Sequence, residues 1–484
     1  MKIQINRDGG RPIYQQIAQA IEKKIETQEL VSGAKLPAER QLATQLQVHR
    51  NTVIKAYGEL VSRGLVQASR QKPKGYFVEA HQEQNFSQRF FPLEKAFRYE
   101  YRRAERKFNS IYWDSDEEDY ISFGGMIMDR KIEPVKGMQN ALKKIFDTDE
   151  GGGIISYIRE TERLKENLCK KLTMQNIYVT PKNIQITAET NQTISYLMTL
   201  YVRAGECIIA EEPIVPDVSN IFYNRGINVV TVSMEEDGMN LEELEENLRM
   251  YKPKFIYTIP NHHNPTGIRM SLNKRKRLLE LADTYNVPII EDDYMNYFQY
   301  TENSIPSLYS LDTNKLVVYA DSFTLTFPYG VKVGYVVGPA DFIDMLGYAI
   351  STDETLIANV GQFFLNEYME SGDFERHIDV LCNHFRHKKD LICEQLDLIS
   401  HKGITYHHPD GGLVIWCTLD KGINERQLTK IAKEKGVLIM PGWIFCKEER
   451  QEKGHLRLCF SNATDEKIIE GIRLLGEALD ECRK

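Results

Sequence analysis

Ile13, Ile17, Ile21 and Ile25 recur at every fourth position, which lays one apolar face along a helix. Leu42 and Leu46 supply the apolar face of a second helix. Its start lies near Pro37, where a missing N–H costs little. A short turn through Leu46-Gln47-Val48-His49 leads into a third helix from about Arg50. Val53, Tyr57, Leu60 and Val61 are expected to face inward there, and Gly64 to stop it. Leu65-Val66 and Tyr76-Phe77-Val78 read as short strands joined by the basic turn 70–75. Past residue 119 the pattern changes. The β-branched runs 183–187, 207–210, 255–258, 287–290 and 316–319 alternate with amphipathic helical stretches. That alternation predicts an α/β fold with a mostly parallel sheet covered on both faces. The C-terminal stretch alternates more loosely and predicts a smaller α+β lobe.

At about 150 residues per domain, 484 residues allow two to four domains. The pattern divides them into 1–79, a charged and aromatic linker over 80–118, and 119–484. Charge sharpens the division. The net charge of −8 alone argues against a nucleic-acid partner. Residues 1–80, however, hold 13 Lys and Arg against 7 Asp and Glu, a formal +6, and the remaining 48 against 62 leave −14. A basic head on an acidic body is an electrostatic footprint for DNA binding by the head. No run approaches the ~18 apolar residues of a membrane span, and the start lacks the apolar core of a signal peptide, so a cytoplasmic protein with no membrane partner is expected. The eight cysteines show neither C-x-x-C pairs nor zinc-like spacing, so reduced thiols and no metal site are expected.

Three separated segments of the head occur in a telling order: Arg11-Pro12-Ile13-Tyr14, Leu36-Pro37-Ala38-Glu39-Arg40, and Val48-His49-Arg50-Asn51-Thr52-Val53. Together they closely resemble the GntR family of winged helix-turn-helix regulators. The resemblance implies that Arg40 contacts phosphate or a base, and that Arg50, Asn51 and Thr52 open the recognition helix in the major groove of double-stranded operator DNA. The chemistry agrees: an arginine fork suits guanine, asparagine can read adenine, and helix N-terminal N–H groups suit phosphate. Lys72 and Lys74 in the wing are placed for backbone or minor-groove contact. His49 stands where the family usually has Ser or Thr.

The body carries a second set. Asn261-His262-His263-Asn264-Pro265-Thr266-Gly267, Glu291-Asp292-Asp293-Tyr294 and Leu456-Arg457-Leu458 resemble the landmarks of fold type I pyridoxal-phosphate (PLP) aminotransferases. Gly411-Gly412-Leu413 and Pro441-Gly442 add support. Fused to a GntR head, this looks like the MocR subfamily. The resemblance implies that Asn264 and Tyr294 serve the cofactor's phenolic oxygen, that Asp292 pairs with its ring nitrogen, and that Arg457 clamps a carboxylate bidentately. It also implies a homodimer.

Three departures bear on the chemistry. In Ser322-Phe323-Thr324-Leu325-Thr326-Phe327-Pro328-Tyr329-Gly330-Val331-Lys332-Val333-Gly334-Tyr335, anchoring on Phe323 and on Gly334-Tyr335 puts Leu325 at the family's Schiff-base lysine. Leucine has no amine and cannot make that bond. Lys332, seven residues on, takes the family's phosphate-binding arginine position and lies too far along the chain to replace it. Glu189, in Thr187-Ala188-Glu189-Thr190, stands where the family has a glycine at the helix N-terminus that cradles phosphate, and a carboxylate there repels a phosphate. Thr190, Thr324 and Lys332 remain as phosphate partners. Past Glu212-Pro213, the aromatic expected near the ring gives way to Ile214-Val215. The expectation is a DNA-binding transcription regulator whose degenerate aminotransferase-like domain senses an amino-acid- or amine-type effector, with no catalytic residues and no covalently bound cofactor. The alternatives are a regulator that still binds PLP non-covalently, and a working aminotransferase with an accessory DNA-binding head.

Overall fold

A computed structural model describes residues 3, 5–6, 12–26, 29–30, 33–63, 65–69, 75–78, 120–147, 157–328, 330–353, 359–447 and 454–483. The chain divides into two compact units, Met1–Ala96 and Phe97–Lys484.

The first unit packs α1 (Ile13–Glu26), α2 (Glu39–Leu46) and α3 (Arg50–Ser62) against an antiparallel pair, β1 (Val66–Ser69) and β2 (Gly75–Val78). Ile17 and Ile21 are fully buried against Leu42, Val53, Tyr57 and Leu60, while Ile13 and Ile25 flank that core. The Tyr57 hydroxyl donates to the Pro37 carbonyl at 2.8 Å, which fixes α3 against the lead-in to α2. Pro37 itself precedes the helix. Two expectations are corrected. Val61 lies at the margin of the apolar stripe and is 37% exposed rather than inward. Leu65 falls in a bend before β1. Gly64, Lys72, Lys74 and the linker 80–118 lie outside the described residues.

In the second unit, β3 (Ile121–Ser122) precedes an eight-stranded sheet. Its members are β4 (Ile184–Thr187), β5 (Cys207–Glu212), β6 (Asn228–Glu235), β7 (Gly238–Met239), β8 (Ile256–Thr258), β9 (Ile289–Asp292), β10 (Val317–Ser322) and β11 (Gly334–Val337), in the order β4-β11-β10-β9-β8-β5-β6-β7. The run β10-β9-β8-β5-β6 is parallel, and β11 and β7 are reversed. Alternate residues feed two cores: Ile290 and Val318 face one, Ile289 and Val317 the other. Burial on both faces is why these strands read as continuous β-branched runs. A smaller sheet, β12 (Ile404–Tyr406), β13 (Val414–Leu419), β15 (Met440–Pro441) and β16 (His455–Cys459), forms the C-terminal lobe in the order β12-β13-β16-β15. Between β14 (Val437–Leu438) and β3 there is a parallel pairing, which ties the start of the unit to that lobe. The second unit is the α/β architecture anticipated, a mostly parallel sheet covered on both faces with a smaller α+β lobe, and it follows a three-helix unit with a two-stranded hairpin in the chain.

The carboxyl ends of β5, β8, β9 and β10 lie side by side, the usual place for a ligand crevice in an open α/β sheet. Strand alternation puts Asp292 on the Ile290 face and turns Glu291 and Asp293 to the other.

Candidate functional site

In the head, the start of α3 is built by local chemistry. His49 is its N-cap, and ring Nδ1 accepts from the Asn51 backbone N–H at 3.2 Å. A hydroxyl or short amide usually does this, so the imidazole supplies the cap that Ser or Thr would. Arg50 follows at the first helical position. Its Nε and Nη2 donate to Glu39 Oε2 at 2.9 and 2.6 Å, which ties α3 to the first residue of α2. Arg40, Arg50 and Asn51 are exposed and Thr52 is half-buried. The two arginines and Asn51 thus stand at or next to helix starts with their side chains reaching solvent.

In the body, a cleft of about 530 Å³ opens at the strand ends. Glu189, Thr190, Asn264, Asp292, Tyr294, Thr324, Leu325 and Arg457 all line it, although 268 residues separate the first from the last. Lys332 is not part of its wall. It pairs with Glu189 at 3.4 Å.

Asp292 ends β9 and is 1% exposed. The Tyr257 hydroxyl donates to its Oδ2 at 2.8 Å, while Oδ1 has no hydrogen-bond partner among the described residues. Burial pushes its carboxyl up to about 7, against the opposing pull of the Tyr257 and Thr190 hydroxyls. Thr324 Oγ1 is a second buried atom without a partner.

Asn264 is the hub of the other wall. Its amide donates to the Tyr294 hydroxyl at 3.0 Å, and its carbonyl accepts from Arg457 Nη1 at 3.1 Å. The loop that carries it is held from within: His263 Nδ1 meets Thr266 Oγ1 at 2.8 Å, and Gly411 and Gly412 pack so closely on His262 that a Cβ at either would collide with it. Burial drives both histidines down to about 3, so they stay neutral. Arg457 is 6% exposed. Its Nη2 donates to the Gly124 carbonyl, its guanidinium lies 5.1 Å from the Phe445 ring centre, and Nε has no partner. No described carboxylate forms an ion pair with it.

Glu189 is the N-cap residue of the helix Thr190–Tyr201, but its side chain makes no capping bond and turns to Lys332. Gly334 passes so close to it that a Cβ on Gly334 would lie 3.0 Å from the Glu189 Cα. Leu325 presents an apolar side chain to the cleft and packs against the main core. The arrangement can hold a polar ligand by a guanidinium, an asparagine and a buried carboxylate, and Leu325 offers no nucleophile. Among the wall residues that escaped the sequence reading are Tyr257, which holds Asp292, and Asp217, which lies in the first turn of the helix Pro216–Tyr223 and faces the cleft. Among the described residues no helix is long and apolar enough to cross a membrane, and no side-chain group is arranged to hold a metal.

Known proteins match both parts. Residues 131–475 match the model of aminotransferase class I and II, and residues 13–78 that of bacterial regulatory proteins of the gntR family. YisV of Bacillus subtilis, described as an uncharacterized HTH-type transcriptional regulator, is 25% identical over 98% of this chain and 97% of its own length. Aromatic-amino-acid aminotransferase 1 of Thermococcus litoralis is 28% identical over 64% of this chain and 75% of its own. The crystal structure of Pyrococcus horikoshii kynurenine aminotransferase superposes with a TM-score of 0.73 at 27% identity, covering 82% of this chain and 98% of that one.

Proposed function

Since the chain belongs to the class I and II aminotransferase family and bears a GntR-type helix-turn-helix at its head, we propose that it is a DNA-binding transcription regulator of the MocR type whose body senses a small amino-acid- or amine-type ligand without transaminase chemistry. The observation that carries this reading is the collinear match to HTH-type transcriptional regulators across both units. The head supports it with exposed Arg40, Arg50 and Asn51 beside the start of a capped helix. The cleft supports the sensing half. A buried guanidinium without a counter-charge costs several kcal/mol, and a ligand carboxylate on Arg457 would relieve that cost.

The residues meet PLP only in part. Its ring end fits, because Asp292 Oδ1 lacks a partner and Tyr294 and Asn264 already meet at 3.0 Å in the cleft wall. Its phosphate end does not, because Glu189 stands at the helix N-terminus and Lys332 is engaged by it. PLP supplies an electron sink to enzymes that hold it. Here Leu325 stands, by its spacing from Phe323 and from Gly334-Tyr335, at the position of the anchoring amine, so the body is read as binding without catalysis. The partly fitting ring end favours a second reading, in which PLP is itself a non-covalently held effector. The regulator is expected to work in the cytoplasm as a homodimer, with two heads reading two half-sites.

The test is selection of binding sites from a randomised duplex pool by the full-length chain, followed by titration with and without amino acids. Enrichment of a two-half-site sequence whose affinity shifts with an amino acid is expected. Failure to enrich any sequence would contradict the regulator reading.

A further inference from the structure

The cleft holds more carboxylate than a neutral amino acid can answer. Asp217, in the first turn of the helix Pro216–Tyr223, lines the cleft with its residue open to solvent, and it forms no ion pair among the described residues. It lies close enough to Arg457 and to Glu189 to feel the charge of both: Arg457 favours its ionised form, while burial and Glu189 oppose it. A first-turn acid has an ordinary use in opposing the helix dipole, so Asp217 alone would carry nothing. The second observation is Asp292, 99% buried, with one oxygen unpartnered in the same cleft. The third is Arg457, a buried cation with no carboxylate partner and an unpartnered Nε.

These groups can be paired off. Glu189 is answered by Lys332. A ligand carboxylate answers Arg457. Two carboxylates, Asp217 and Asp292, then remain without cations. A neutral amino acid brings one ammonium and leaves one of them unpaired. A diamine answers both and leaves Arg457 bare. We propose that the cleft takes a cationic diamino acid, of the lysine or ornithine class, with its carboxylate on Arg457 and one ammonium to each of Asp217 and Asp292. This rests on the sensing reading above and narrows it to one charge class. It also assigns Asp217 as the residue that sets specificity.

The test is calorimetry on the full-length chain with L-lysine and L-ornithine against L-norleucine, which lacks the terminal ammonium, and cadaverine, which lacks the carboxylate. A hydrogen bond to a charged group is worth about 1.5–3 kcal/mol, and Asp217 is open to solvent, so the lower end applies and norleucine is expected to bind about 10-fold more weakly than lysine. Asp217→Asn should abolish the advantage of lysine over norleucine, and norleucine should still bind, which shows that the variant is folded. Asp217→Glu should keep part of the preference. Norleucine binding as tightly as lysine to the wild type would overturn the inference and leave amino-acid sensing standing, as would undiminished lysine preference in Asp217→Asn. Silence of all four probes would overturn the inference and the amino-acid reading together.

Discussion

Replacing Arg50 by alanine should separate DNA binding from folding. The structure sets both magnitudes. Arg50 and Glu39 form a pair whose side chains are 48% and 20% exposed. A pair this accessible contributes about 0–1 kcal/mol to stability. Arg50 also sits at the first position of α3, where the helix dipole disfavours a cation, so part of even that contribution is offset. Thermal stability should therefore move by less than about 1 kcal/mol. Binding should move more. A bidentate arginine contact to a base edge is worth about 1–3 kcal/mol of discrimination, roughly 5- to 150-fold in Kd. The assay is a fluorescence-anisotropy titration of the full-length chain on its selected operator at one fixed salt concentration, with thermal unfolding in parallel. Reselection from a random pool should show that the variant has become degenerate at one base of each half-site. Glu39→Ala makes the companion measurement. It frees a guanidinium that the pair had pre-oriented, and ordering such a side chain on binding costs about 0.5–1.5 kcal/mol, so its loss should be smaller than that of Arg50→Ala. Operator affinity unchanged by Arg50→Ala would refute the assignment of the recognition helix. A large loss of stability would refute the claim that the residue faces DNA rather than the fold.

Two further outcomes follow from the cleft. Burial holds the Asp292 carboxyl at about 7 against 3.8 in the unfolded chain. The folded state therefore binds that proton more tightly, and this group lowers stability progressively as pH rises from the lower value to the higher, by on the order of 4 kcal/mol in all. Asp292→Asn should unfold later than wild type at about pH 8 and together with it near pH 4; a gap that does not change with pH contradicts the burial argument. Glu189→Gly removes the carboxylate from the helix N-terminus and releases Lys332, so isothermal titration with PLP should show tighter binding than to wild type. No gain would count against repulsion at that end.

Much of the architecture was readable because the physics is local. Parallel strands buried on both faces must be continuous apolar runs, and four of the five runs singled out fall on strands of the parallel stretch, while 183–187 falls on β4, which pairs antiparallel at the sheet edge. Ile17 and Ile21 likewise follow from a period of four. Asn264, Asp292, Tyr294 and Arg457 were found through motifs, and they do meet in one cleft. What escaped notice depends on who faces whom. Asp217 follows a proline at a helix start, where an acid has an ordinary reason to be, and only the packing of its helix shows it facing the cleft. Arg457 is oriented by the carbonyl of Gly124, 333 positions away, and a backbone carbonyl carries no residue signature. Glu189 and Lys332 each stood out as departures from the family pattern, but nothing along the chain pairs two residues 143 positions apart. His49 looked anomalous by residue type, whereas its ring nitrogen performs the capping that the position requires. Val61 failed because it sits at the edge of the helical stripe, where one position decides between core and solvent.

We propose that the cleft is kept for recognition and has lost its covalent chemistry, with Leu325 at the position where an amine would be needed both to anchor PLP and to move a proton. The direct measurement is borohydride reduction of the full-length protein after incubation with PLP, followed by peptide mass spectrometry. No pyridoxyl adduct near one per chain is expected on any lysine. A stoichiometric adduct on Lys332, or on another lysine brought into the cleft, would contradict it and restore the aminotransferase reading.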